Sequence, residues 1–378
     1  MNLVPETQIL QFGTGKLLRG LFDPLVPDAG RVTVVQSRDG VSTLDGINRA
    51  GDGYHLWVRG FQQGQVIEQV ERIRSLGAAY SVTRQWPEIL GVWQDPNFRL
   101  VVSNTTEKGL QLDPQDAAGS LVASGSQPPQ SFPARLLALL WQRYQQAGEG
   151  VAILPLELIE NNATRLRDLV LEQAQHWSAE SGFLAWLRED CRWLTTLVDR
   201  ICVDVVPPVP WAEDDPLAVM TEPFQMLVVQ RDGGPEWILP DHPAVIWADD
   251  LQPYFRQKVR LLNGLHTAMV ARCMPLGFET VLDVMNDPQQ SQWVTDLLEQ
   301  ELVPTLAAQG LTVDAFGRQV LDRFRNPFFR HRLADIAVGH ETKRQVRLQP
   351  TWEEYQQQFG RRPPLLSEVL DLPLPASV

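Results

Sequence analysis

Lys258, Asn263 and His266 fall within nine residues of one another in the segment YFRQKVRLLNGLHTAMV. On an α-helix, Phe255, Lys258, Val259, Leu262, Asn263, His266 and Val270 share an arc of roughly 140°. One face then carries an amine, an amide and an imidazole among apolar side chains. Such a face can handle the proton of an alcohol beside a hydride acceptor. The same spacing also describes an ordinary amphipathic helix with a solvated lysine and a hydrogen-bonded histidine, and spacing alone leaves both open. Tyr254 and Lys258 also form a Tyr-x-x-x-Lys pattern, in which a tyrosine would be the acid. That pattern normally lies within a nucleotide-binding domain, whereas here it comes about 240 residues after the first glycine pair.

The elements that would position such a face are legible upstream. QILQF (8–12) reads as a strand, followed by a glycine turn and a helix beginning near Lys16, and RVTVVQS (31–37) reads as a second buried strand. Segments 54–60 and 65–73 alternate around Gln62-Gln63-Gly64 and predict an antiparallel hairpin. FRLVVSNT (98–105) and VAILPLE (151–157) are further apolar strands, with a helix over 133–147 between them. Strands alternating with helices predict a mainly parallel sheet covered on both faces. FQMLVVQ (224–230) and EWILP (236–240) are expected to add strands, and 113–130 is expected to be a long mobile loop. Beyond Asp249 the pattern turns helical, with candidates at 251–274, 287–303, 313–325, 329–338 and 351–359. The expected fold is therefore an α/β Rossmann-like dinucleotide-binding domain over 1–246 and a mainly α-helical substrate domain over 247–378.

Gly13 and Gly15 follow the first strand directly, as in a turn where one glycine bends the chain and the next lets backbone approach a pyrophosphate. Leu18 stands where a third glycine would complete G-x-G-x-x-G, and Gly20 comes two residues later. Phe12, Gly13, Thr14, Gly15, Lys16 and Leu17 are thus the candidate cofactor loop. The second strand ends in Gln36-Ser37-Arg38-Asp39. Gln36 and Asp39 can engage a ribose diol, whereas Arg38 could pair with a 2′-phosphate; NAD is the expected cofactor. Asn161-Asn162 opens the helix after VAILPLE, where N-capping is the plain alternative to a role in chemistry. RFRNPFFRHR is either a solvated basic helix or an anion clamp.

Composition removes several classes. With 33 basic and 46 acidic side chains the formal charge is −13, which disfavours nucleic acid and anionic lipid as partners. No run approaches the roughly 18 apolar residues of a membrane span, and the N-terminus lacks a secretory signal. Cys191, Cys202 and Cys273 are widely separated, as expected of reduced thiols in a cytoplasm. There is no CxxC and no HExxH, so no metal is expected.

Six segments, QFGTGKLLRG, VVSNTTEKG, SFPARL, LPLELIENNATRLRDLVL, KVRLLNGLHTAMV and RFRNPFFRHRLADIAVGHETKRQV, resemble the polyol and sugar-acid dehydrogenases of the mannitol dehydrogenase family. They run in the family's order along nearly the whole chain, to about residue 346, and K-x4-N-x2-H with NGLHT is the most specific of them. The resemblance implies that Lys258 is the general base and that Asn263, His266 and Asn162 hold the reacting oxygen. It implies that Asn104 and Thr105 line the nicotinamide side. It also implies that Lys343, with Arg325 or Arg332, lies near the substrate's far end. Leu17 departs from the family's usual aromatic at that place in the turn. The implied activity is metal-independent, NAD-linked interconversion of a keto sugar acid and an aldonate by a monomer or small homo-oligomer. A hexitol, a hexitol phosphate or a second hexuronate remain open as substrates, and a non-catalytic nucleotide-binding regulator is the alternative from another class.

Overall fold

The computed structural model describes residues 7–27, 30–37, 41–105, 109–205, 209, 211 and 214–373. Its strands are β1 (Gln8–Phe12), β2 (Val32–Gln36), β3 (Tyr54–Gln62), β4 (Gln65–Ile73), β5 (Leu76–Ser81), β6 (Phe98–Ser103) and β7 (Ala152–Pro155). They continue with β8 (Arg192–Trp193), β9 (Thr196–Asp199), β10 (Cys202–Asp204), β11 (Val219–Thr221), β12 (Met226–Gln230) and β13 (Val245–Ala248). The chain divides into two units. Met1–Val58, Gln69–Thr221 and Gln225–Leu251 form the first; Arg59–Glu68, Glu222–Phe224 and Gln252–Val378 form the second. The hairpin tip Arg59–Glu68 and the tripeptide Glu222–Phe224 thus group with the helices that follow Leu251.

The first unit is built on a six-stranded sheet in the order β5-β2-β1-β6-β7-β8, and every pairing in it is parallel. Renumbered among themselves these strands run 3-2-1-4-5-6, the doubly wound order, with the switch point between β1 and β6. Both faces are buried, as the continuous apolar strands require. Leu10, Phe12, Val35, Val101 and Ile153 join one core cluster. Ile9, Val32, Val34, Leu100, Val102 and Leu154 join another. The alternation along each strand divides its side chains between the two.

Three sequence expectations are corrected here. EWILP is not a strand: Pro235 starts a 3-10 turn over Glu236–Ile238, and β12 pairs instead with β13. The segment 113–130 is pinned rather than loose. Asp116 is buried, accepts the backbone N–H groups of Gln130 and Ser131 at 2.7 and 2.9 Å, and receives Trp177 Nε1 on its carbonyl at 2.7 Å. The basic stretch RFRNPFFRHR does not share one helix. Its first helix ends at Phe324 ahead of Pro327, and the next begins only at Leu333.

One buried group carries a pH prediction. Asp23 is fully buried, with the Gln11 side chain and the Arg19 charge acting on its carboxyl. Burial pushes its carboxyl up to about 7, against the smaller opposing pull of Gln11 and Arg19. The folded state therefore holds a proton between about pH 4 and 7 that the unfolded chain has released. The stability this contributes is present below pH 4 and lost as pH rises through 7. Its ceiling is on the order of 4 kcal/mol. Thermal melts of Asp23→Asn from pH 5 to 8 should lack that decline, whereas wild type shows it. Parallel curves for the two proteins would refute the assignment.

The second unit is helical, with one core that includes Leu261, Leu265, Met269, Val294, Leu298, Val320, Phe324 and Leu366. No helix among the described residues is long and apolar enough to cross a membrane.

Candidate active site

In the first unit the glycine turn follows β1. Gly13 has φ +121°, and a Cβ there would lie 2.9 Å from Leu18 Cδ1 and 3.0 Å from the Asn104 carbonyl oxygen. Only glycine fits that turn. Gly15 has open space where its Cβ would stand, so backbone N–H groups at this helix start can be approached by a pyrophosphate. Gly20 performs the packing that a third glycine normally provides, since its Cβ would meet Cys202 Sγ at 2.6 Å and Thr221 at 2.8 Å. Gly20 sits within a π-helical stretch over Leu18–Phe22 that follows the turn. Lys16 points outward to Asp204 at 2.7 Å, a surface pair of little energetic weight.

Gln36 is buried at the end of β2, while Arg38 and Asp39 lie outside the described residues. Asn104 and Thr105 follow β6 and are half-buried. Asn104 Nδ2 donates to the Leu156 carbonyl at 2.9 Å, and Thr105 is held by Glu157 through its N–H at 2.8 Å and its hydroxyl at 3.0 Å.

Asn162 is placed differently from the expectation. It is fully buried, and its Nδ2 contacts the Pro155 and Glu157 carbonyls at 2.9 and 3.1 Å and Thr196 Oγ1 at 2.9 Å. Its Oδ1 accepts from the backbone of Ala163 and Thr196 at 2.8 and 3.1 Å. Both ends of the amide are taken, so it braces the junction of β7, its helix and β9 and presents nothing to a reacting oxygen. Asn161 is the N-cap by position, with φ +55° and no side-chain cap bond.

In the second unit one helix runs from Gln252 to Cys273 with a π-helical stretch over Lys258–Asn263. A π-turn bonds residue i to i+5, so Lys258 and Asn263 come roughly into line. In α geometry they would stand about 140° apart. The insertion therefore gathers the amine and the amide more closely than the α-helical reading predicts. Both are half-buried. His266, one turn on, is buried with no hydrogen-bond partner on Nε2 among the described residues. Its ring centroid lies 4.6 Å from those of Phe324 and His331.

Burial holds the His266 imidazole well below the usual histidine range, helped by His331, Arg323, Arg347 and Lys343. It is a neutral imidazole in a cationic setting. Arg323 is neutralised by a two-pronged pair with Glu222, 2.8 Å on each prong, with both side chains almost fully buried. Lys343 donates to the Ile336 carbonyl at 2.7 Å, and Arg347 lies 3.4 Å from Thr267 Oγ1. Burial lowers the affinity of both for their protons, and Arg347 adds to this for Lys343. They stand at i and i+4 on one helix, His340–Arg347, where like charges repel. An anion bound there would relieve that repulsion.

Of the sequence candidates, Lys258, Asn263, His266 and Lys343 thus belong to one unit and one neighbourhood. Arg325 caps the helix ending at Phe324 and Arg332 is exposed; neither is among the groups acting on His266. Arg323, His331 and Arg347 were missed. The i, i+4 spacing of Lys343 and Arg347 and the apolar series Phe316, Val320, Phe324 flanking Arg323 carried signals for two of them.

The profile of the mannitol dehydrogenase Rossmann domain matches residues 7–238, and that of the mannitol dehydrogenase C-terminal domain matches 250–369. The chain is 32% identical to the altronate oxidoreductase of Halalkalibacterium halodurans, over 96% of this chain and 73% of that protein. It is 35% identical to the same-named protein of Yersinia enterocolitica, over 96% and 78%, and 33% identical to that of Bacillus subtilis, over 95% and 77%. Among solved structures, substrate-free D-sorbitol dehydrogenase matches with a TM-score of 0.76 over 92% of this chain and 78% of its own, at 20% identity. The mannitol 2-dehydrogenase of Pseudomonas fluorescens, solved with NAD and D-mannitol, matches with 0.69 over 97% and 81%, also at 20%. Those two likenesses concern the fold.

Proposed function

This chain belongs to the mannitol dehydrogenase family, and on that premise we propose that it is an NAD-linked oxidoreductase interconverting tagaturonate and altronate. The reading is supported by the altronate oxidoreductase relatives. The observation that carries it is the π-aligned Lys258 and Asn263 beside a neutral His266 in a cationic setting. The space at Gly15 and the required glycine at 13 fit a dinucleotide, with Phe12–Leu17, Gln36, Asn104 and Thr105 as its residues. When bound, that cofactor supplies or accepts the hydride.

The protein's own part is proton handling and recognition. Lys258 takes the proton from the substrate hydroxyl in oxidation and returns it in reduction. The Asn263 amide donates to the same oxygen as charge develops on it, stabilisation without added charge. His266, kept neutral, orients the hydroxyl without competing as a cation. Lys343 and Arg347 engage the substrate carboxylate. Asn162 is a positioning residue.

The test follows NADH absorbance with purified protein against tagaturonate, fructuronate, fructose and fructose 6-phosphate. Tagaturonate should give the highest kcat/KM. Preference for the phosphate ester or the uncharged ketose would overturn the substrate assignment.

A further inference from the structure

Glu157, immediately beyond β7, does work that the reaction scheme does not use. It is 2% exposed, and three donors converge on it: the Thr105 N–H at 2.8 Å, the Thr105 hydroxyl at 3.0 Å and the Ser103 hydroxyl at 3.1 Å. The Thr105 N–H can only donate and both hydroxyls are able to, so the three contacts together fit a carboxylate that accepts on both oxygens. Burial opposes the charge and raises the carboxyl's pKa, and the Thr105 and Ser103 donors pull it back. Gly109 packs against the same threonine, since a Cβ there would lie 2.3 Å from Thr105 Oγ1.

These bonds tie the carboxyl ends of β6 and β7, next to the β1–β6 switch point where a doubly wound sheet receives its ligand. We propose that Glu157 is a positioning residue of the cofactor half: it fixes the Asn104–Thr105 turn, and its buried negative charge favours the cationic oxidised nicotinamide over the neutral reduced ring. The inference rests on the dinucleotide reading above, not on the identity of the sugar. Glutamine at this place keeps the size and an acceptor but removes the charge and sets an N–H₂ group against converging donors.

The test uses the full chain and equilibrium binding. NADH is titrated by fluorescence, and NAD+ by competition against it. Wild-type binding of both nucleotides checks the cofactor reading separately. In Glu157→Gln the Kd for NAD+ should rise about tenfold more than that for NADH, the scale of a fixed charge acting through a partly screened interior. A variant that melts like wild type and keeps the wild-type Kd ratio would overturn the electrostatic claim. Thr105→Val leaves the carboxylate in place and loosens the turn, so both Kd values should rise together with their ratio unchanged. Undiminished affinity in Thr105→Val would overturn the positioning claim, including in the case where Glu157→Gln fails to fold.

Discussion

Lys258→Ala should lower kcat by roughly a hundred- to ten-thousand-fold, the range general acid–base catalysis contributes, while leaving the Kd for NADH unchanged. The split follows from where the residue sits. Lys258 opens the π-helical stretch of the second unit, whereas the glycine turn belongs to β1 of the first. Its replacement removes a proton carrier and leaves every residue of the turn unsubstituted. Asn263→Ala should cost less, because it removes one donor to the oxygen and leaves the proton route in place. Steady-state NADH oxidation gives kcat, and fluorescence titration gives the cofactor Kd. Near-normal turnover in Lys258→Ala would move the base elsewhere, with Tyr254 the first place to look.

The second large effect is on stability. Arg323→Ala should destabilise the protein by about 3–5 kcal/mol, because it strips the buried Glu222 carboxylate of the guanidinium that pairs with both its oxygens. The pair is two-pronged at 2.8 Å, with Glu222 1% and Arg323 5% exposed, and the guanidinium also lies 4.4 Å from the Phe224 ring centre. Removing both charges together, as in Arg323→Met with Glu222→Leu, should recover much of the loss, since well-packed apolar replacements avoid the desolvation cost. Chemical denaturation of the single and double variants measures both. A single variant with a wild-type midpoint would show that the pair carries little of the stability of its unit.

The first unit's sheet was largely legible in the sequence because its strands are buried on both faces and read as unbroken apolar runs. The residues of β1, β2, β6 and β7 and the turn at Gly13 lie where the pattern places them. β5 (Leu76–Ser81) escaped notice because LGAAYS lacks a β-branched run, and β8 is only two residues long. EWILP misled because apolar character marks burial, not pairing; Ile238 and Leu239 are buried without joining a sheet. In the second unit the helix carrying Lys258 was evident, but its π insertion was not. An i→i+5 turn has no compositional signature and is held by the packing around it.

The site residues divide along the same line. Lys258, Asn263 and His266 stand close in sequence on one element, so their spacing was informative. Asn162 was not separable from a catalytic amide by sequence, because its commitment to Pro155, Glu157 and Thr196 is made by the fold. Arg323 is told apart from Arg325 only by which side of a helix faces the core.

Chemical rescue tests the central claim most directly. The claim is that a lysine amine, supplied by the second unit, moves the proton of the substrate oxygen. Lys258→Ala, assayed with altronate and NAD+, should regain turnover on adding small primary amines, in proportion to the free-base amine concentration and rising with amine pKa. A variant as impaired as predicted that no amine restores, while its cofactor binding and melting remain those of wild type, would contradict the account.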